Sequence, residues 1–160
     1  MRIVPLILVL TLAAAFSTQV TSALGTVDYP SNYRSWQHLK SMIIQPGHPL
    51  EEPFGGIHHI YANAKAFSGL TNGEYESGAI FVFDLLEYVE RDKTIVEANR
   101  KRIDVMQYDP NRFTATGGWG FDTFVGNSMV ERVEQDVVSA CFGCHQSAEA
   151  SNFVFSQYRR

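Results

Sequence analysis

Five residues near the end of the chain, Cys141-Phe142-Gly143-Cys144-His145, constrain the fold more than any other feature. Cysteines three apart on a helical turn lie on one side of it, so both sulfurs can reach the same vinyl edge of a porphyrin. The adjacent His145 then places its imidazole under the iron as the proximal axial ligand. This is the attachment spacing of one covalent haem c. Two other uses of the pair fit less well. A redox disulfide belongs at the start of a helix that follows a strand, in a βαβ setting, and this pair lies at the end of a helical pattern. A zinc site needs four converging ligands, and no second ligand pair is evident in the sequence.

The position of the motif also bears on the opposite side of the iron. Residues 146–160 contain neither Met nor His, which excludes a small electron-transfer cytochrome with a methionine ligand downstream of its motif. A sixth protein ligand would have to come from earlier residues: His48, His58, His59, Met42, Met106 or a lysine. His58 and His59 are neighbours on a strand pattern, where successive side chains point to opposite faces. At most one of them reaches a haem.

The amino terminus reads as an export signal. Arg2 precedes an apolar run from Ile3 to Phe16, polar Ser17-Thr18-Gln19 closes it, and Thr21-Ser22-Ala23 offers small residues for cleavage. That order defines a secretory signal peptide over residues 1–23, too short to span a bilayer comfortably. Residues 24–160 then form a single domain, located in the periplasm and free of the membrane once the signal is cut. Cleavage removes Arg2 from the 13 basic residues and leaves the 17 acidic ones, taking the net charge from −4 to −5. A chain of that balance lacks the clustered positive charge of a nucleic-acid surface. Arg100-Lys101-Arg102, close to Glu87, Glu90, Asp92 and Glu97, is expected in a solvated hairpin carrying both signs.

Hydrophobic periodicity predicts an α+β domain: a mainly antiparallel β-sheet with flanking helices, and haem attached near the C-terminal helix. Trp36, Leu39 and Ile43 share a helical face ahead of the Pro46-Gly47-His48-Pro49 break. Strands are predicted over 56–62, 78–86, 101–108 and 118–125, with a helical turn at 64–67 before the Thr71-Asn72-Gly73 turn. Ser128 with Glu131 forms a capping box. Val130, Val133, Val137 and Cys141 recur behind it at helical spacing, which predicts a helix running from there into the motif.

Several segments in this order resemble the cytochrome P-460 family, which includes the β-sheet cytochromes c′. They are Asn32-Tyr33-Arg34-Ser35-Trp36, Gly56-Ile57-His58-His59-Ile60-Tyr61-Ala62-Asn63, Gly73-Glu74-Tyr75 with Gly78, Ile80 to Leu86, Gly117-Gly118-Trp119-Gly120-Phe121 and the terminal motif. The resemblance implies a homodimer with a five-coordinate haem and an open distal site. One group of the family carries a lysine cross-linked to the porphyrin and oxidises hydroxylamine. The other lacks the cross-link and binds nitric oxide or carbon monoxide. The cross-linking lysine would fall just before Asn72-Gly73-Glu74-Tyr75, where Leu70 and Thr71 stand, and the nearest lysine is Lys65. That departure favours gas binding, and makes a hydroxylamine oxidoreductase conditional on a cross-link elsewhere. An electron-transfer cytochrome with an as yet unidentified redox partner is a third reading. The resemblance also implies Phe54 and Phe83 as a distal cap over the iron. On residues alone, such rings equally fill a sheet core. Arg34, Arg102 and Asp104 are the charged candidates near the site, and Trp119 reads as core or interface.

Overall fold

The computed structural model describes residues 26–133 and 136–159. The predicted signal peptide lies outside them. Among the described residues, five strands form one antiparallel sheet in sequence order: β1 (Gln37–Ile44), β2 (Gly56–Ala62), β3 (Ile80–Arg91), β4 (Thr94–Tyr108) and β5 (Trp119–Val125). Three α-helices among those residues flank it: the short, kinked α1 (Glu51–Phe54), α2 (Ala64–Asn72) and the motif helix α3 (Val137–His145). The α+β expectation is therefore met. Among the described residues no helix is long and apolar enough to cross a membrane.

Local chemistry explains most boundaries. The Asn63 side chain accepts from Ala66 N at 2.9 Å and caps α2, and Gly73 closes that helix at φ 85°, where a side chain would be strained. Asn63 also donates to Gly78 O and accepts from Ile80 N, which ties the helix start to the start of β3. At the other end of β3 the chain reverses through Asp92 and Lys93, both at positive φ (50° and 63°). Two left-handed residues in succession match the twist of an antiparallel pair.

Two expectations are corrected. The 36–43 segment is the edge strand β1 rather than a helix: its residues pair with β2 from Gln37↔Ala62 to Ile44↔Gly56, with an irregularity between His38 and Lys40. Pairing supplies backbone partners that the apolar spacing alone could not reveal. The C-terminal helix begins at Val137, not at Ser128. The Ser128 hydroxyl does accept from Glu131 N at 2.8 Å, but the chain then runs extended. Val125 N donates to Glu131 O, Val133 N donates to Thr123 O, and Arg132 forms a bridge with Phe124. Arg132 also pairs with Asp122 at 2.8 Å and lies over the Phe124 ring, so contacts with β5 outweigh the cap. The helix takes its cap from Asp136, which accepts from Ser139 N.

The sheet has two unlike faces. On one, Val27, Tyr33, Phe113 and Phe124 pack with Val82 and Ile103 under the amino-terminal segment. The other carries two rows of directly opposed residues, Lys40–Ile60–Phe83–Asp104–Thr123 and Ala62–Phe81–Met106–Phe121. Helix α3 and the C-terminal segment cover part of that second face.

Candidate functional site

Between the second face and α3 lies a cavity of about 590 Å³, within the ~300–1,000 Å³ typical of cofactor sites. Its walls are predominantly apolar, with Ile60, Phe81, Phe121 and Val137 among them. Cys141, Cys144 and His145 from α3 line the same cavity as Phe54 and Phe83, so the structure brings all five predicted site residues together.

Helix geometry puts the two cysteines on one side, and both are free thiols. Burial, reinforced by the charge of Asp104, pushes the Cys141 thiol up to about 12, so it is held protonated against the cavity wall. His145 is fixed more tightly than its neighbours. Its Nδ1 lies 2.6 Å from the carbonyl oxygen of Phe153, and a carbonyl can only accept, so Nδ1 carries the proton. Phe121 and Phe155 flank the ring with centroids 5.2 and 5.0 Å away. Burial lowers the imidazole's basicity, and the Phe153 hydrogen bond only partly offsets this. The result is a neutral imidazole whose Nε2 has its lone pair free, the form and orientation that ligate a metal.

Two thiols on one helical side, an imidazole with its tautomer fixed and an apolar chamber of suitable size fit a covalently held haem. Cys141 and Cys144 would hold the macrocycle edge and His145 the iron. Among the described residues no three His, Cys, Asp or Glu side chains come together as a metal cluster.

The phenylalanines occupy the wall contributed by α1 and β3. Their rings meet edge to face at 5.8 Å. The Arg102 guanidinium lies 4.8 Å from the Phe54 centroid and its Nε is 3.1 Å from Asp104. Thr123 donates to the same carboxylate at 2.7 Å. Burial raises the affinity of Asp104 for its proton despite these two partners. Arg102 and Asp104 thus line the cavity as expected. Arg34 does not: it lies on the opposite face, 3.1 Å from Asp84. The mixed-sign hairpin is corrected in part, since Arg100 also reaches Asp84, at 2.6 Å, and is largely buried. Trp119 is fully buried in the apolar cluster beside the cavity.

The candidate sixth ligands separate by position. His58 faces the cavity, and His59 points to the other side, 2.7 Å from Glu97. His48 is exposed and accepts from Leu50 N. Met42 and Met106 both reach the cavity wall. Lys65 turns away, its Nζ donating to Ser77 O at 2.6 Å. The lysine that does line the cavity is Lys40, on the edge strand, which sequence reasoning missed. Lys40 pairs with Ile60, which in turn pairs with Phe83, and that register comes from strand pairing, which the helical spacing of Trp36, Leu39 and Ile43 does not show.

A family model described as Cytochrome P460 matches residues 30–156. No curated protein matches the chain.

Proposed function

We propose a function from one premise: the chain belongs to the cytochrome P460 family, and is a haem protein of the c type. Our reading is that Cys141 and Cys144 hold one haem covalently, that His145 is the proximal ligand, and that the position opposite it stays open for nitric oxide or carbon monoxide. When bound, haem would supply an iron able to coordinate a small ligand. The protein's own residues then decide which ligands remain. The observation that carries the reading is the wall around Phe54 and Phe83, where an edge-to-face ring pair presents apolar surface to the cavity; such a surface would favour neutral diatomics over water. Lys65 supports it as well, because its ammonium is tied to Ser77 O rather than turned toward the cavity.

Export to the periplasm, cleavage near Ala23 and assembly as a homodimer belong to the same proposal and rest on the signal pattern and the family likeness. The second reading, a hydroxylamine oxidoreductase, is favoured by one feature: Lys40 on the cavity wall, the amine from which a cross-link would have to form. Intact mass and the ferrous absorption spectrum separate the two. We expect the cleaved polypeptide plus one haem, an uncrosslinked Soret band, and loss of covalent haem in Cys141→Ala with Cys144→Ala. A strongly red-shifted Soret band that reverts in Lys40→Ala would establish the enzyme instead.

The cap has its own test. In Phe54→Ala and Phe83→Ala, carbon monoxide association should accelerate by about tenfold or more, as expected if each ring contributes over ~1.4 kcal/mol to the access barrier. Rates unchanged in both variants would return the rings to ordinary core packing.

A further inference from the structure

His58 is the polar side chain in this cavity that the foregoing leaves without a task. It sits on β2 with only 1 % of its surface exposed, and among the described residues its Nδ1 has no hydrogen-bonding partner. A polar atom buried without a partner is destabilising, and no contact among the described residues offsets that here. Elsewhere on the wall Asp104 holds Arg102 and Thr123, and Lys40 lies out on the edge strand β1. The imidazole is also held in one orientation. It stacks on Phe83 with centroids 4.2 Å apart and planes 23° from parallel, and Phe83 in turn meets Phe54. Because the ring nitrogens lie in the imidazole plane, the stack directs them past the edge of Phe83 rather than into it. Burial, with Lys40 and His59 nearby, lowers the imidazole's pKa to about 4, so near neutrality it carries one N–H donor and no charge.

We propose that His58 is the specificity-determining residue of the distal site: its neutral imidazole donates a hydrogen bond to the outer atom of an iron-bound diatomic, favouring ligands whose outer atom accumulates negative charge. The inference rests on the gas-binding reading above and extends it by naming the ligand class. Nitric oxide on ferrous iron, whose oxygen accepts a hydrogen bond well, gains more than carbon monoxide, whose oxygen accepts weakly. The phenylalanines set what enters, and His58 sets what stays. A neutral donor in an apolar wall gives this selectivity without attracting anions, which a protonated histidine would do.

The test is vibrational and does not depend on turnover. A hydrogen bond to the outer oxygen draws electron density from iron into the ligand and lowers its internal stretch. In the haem-loaded protein, His58→Leu and His58→Phe should therefore raise the N–O stretch of the ferrous nitric oxide complex, and raise the C–O stretch by less. His58→Gln, which keeps a donor, should stay closer to the parent. Nitric oxide should dissociate several-fold faster from the two apolar variants, with carbon monoxide dissociation changed less. Two apolar replacements of different shape keep the test available if one fails to fold. Stretches and dissociation rates that ignore His58 overturn its role while leaving gas binding intact. A low-spin ferrous spectrum in the parent that turns high-spin in His58→Leu also overturns it, by making His58 the sixth iron ligand. A parent protein that binds neither gas overturns the gas-binding reading itself, and this inference with it.

Discussion

Asp84 shows how much one residue can hold in a sheet of this kind. Its side chain is wholly buried on the face away from the cavity, and it accepts from Tyr33 at 2.7 Å, Arg100 at 2.6 Å and Arg34 at 3.1 Å. Burial pushes its carboxyl up. Hydrogen bonds from Arg100 and Tyr33, with the charges of Arg100 and Arg34, outweigh that and hold it below the usual range. Asp84→Asn removes the charge that those partners surround, and should destabilise the fold by about 3 kcal/mol, the usual cost of breaking a buried ion pair from one side. The pH dependence follows from the depressed value. The folded state keeps Asp84 ionised to lower pH than the unfolded chain does, so its contribution is complete above the unfolded pKa of about 4 and is lost as pH falls through the folded one. Denaturant melts of parent and variant should therefore converge on acidification, and a gap that stays constant from pH 6 to pH 2.5 would contradict the account. His145 shows the same principle at the site: one backbone carbonyl, Phe153 O, decides which nitrogen is free.

At the scale of elements, the β3–β4 hairpin is held by a turn whose residues are poorly suited to it. Asp92 and Lys93 both take left-handed conformations, which suit Asp tolerably but are costly for a residue with a longer side chain. Lys93→Gly should relieve that cost, offset in part by the extra freedom glycine has when unfolded. A net gain of roughly 0.5–1 kcal/mol in a denaturant melt is the expected result, and a loss would mean that the Lys93 side chain stabilises the turn. This hairpin was half legible in the sequence. Ile80 to Leu86 is rich in β-branched and aromatic residues and reads as a strand, but Glu87 to Glu97 mixes charges with Tyr88, Val89, Ile95 and Val96 and carries no Asn-Gly or Gly-rich turn. The strands extend to Arg91 and Thr94 because each supplies the other's backbone partners, and no local pattern encodes that. Helix α3 failed in the opposite direction. The cap signal at Ser128 is real as a hydrogen bond, yet β5 captures the following residues through Arg132, Asp122 and Phe124.

For the whole molecule, the sheet and the motif helix stand in different positions. The sheet has a buried face of its own under Val27, Tyr33 and Phe113. Helix α3 has no fully buried residue, and it presents Val137, Cys141 and Cys144 to the cavity instead. A haem seated there would complete the apolar contacts of α3, and a ligand that binds only the folded arrangement stabilises it. Hydrogen exchange should resolve the difference. In a haem-free preparation the amides of Val137–His145 should exchange about tenfold or more faster than in the loaded protein, while the centres of β3 and β4 change little. Equal protection of α3 in both preparations would show that the helix is stable on the sheet alone.

The sequence by itself determined the family and the class of fold, and it pointed to the residues of the proposed haem site. Cys141, Cys144 and His145 lie within five residues of chain, so their shared side of a helical turn is a local property, and the run of β-branched and aromatic residues along 80–86 likewise reports a strand without reference to partners. Segments that match the family lie in order along the chain, which is why the family could be read before any fold was seen. Only the tertiary structure decided which residues meet. It placed His58 and not His59 on the cavity side, sent Arg34 to the opposite face to hold Asp84, and brought Lys40 to a wall that also carries Phe83. It also turned 36–44 from a helical pattern into an edge strand and delayed the last helix to Val137. The physical reason is the same in each case. Strand pairing and packing join residues tens of positions apart, and their free energies outweigh the capping and periodicity preferences that a single segment carries.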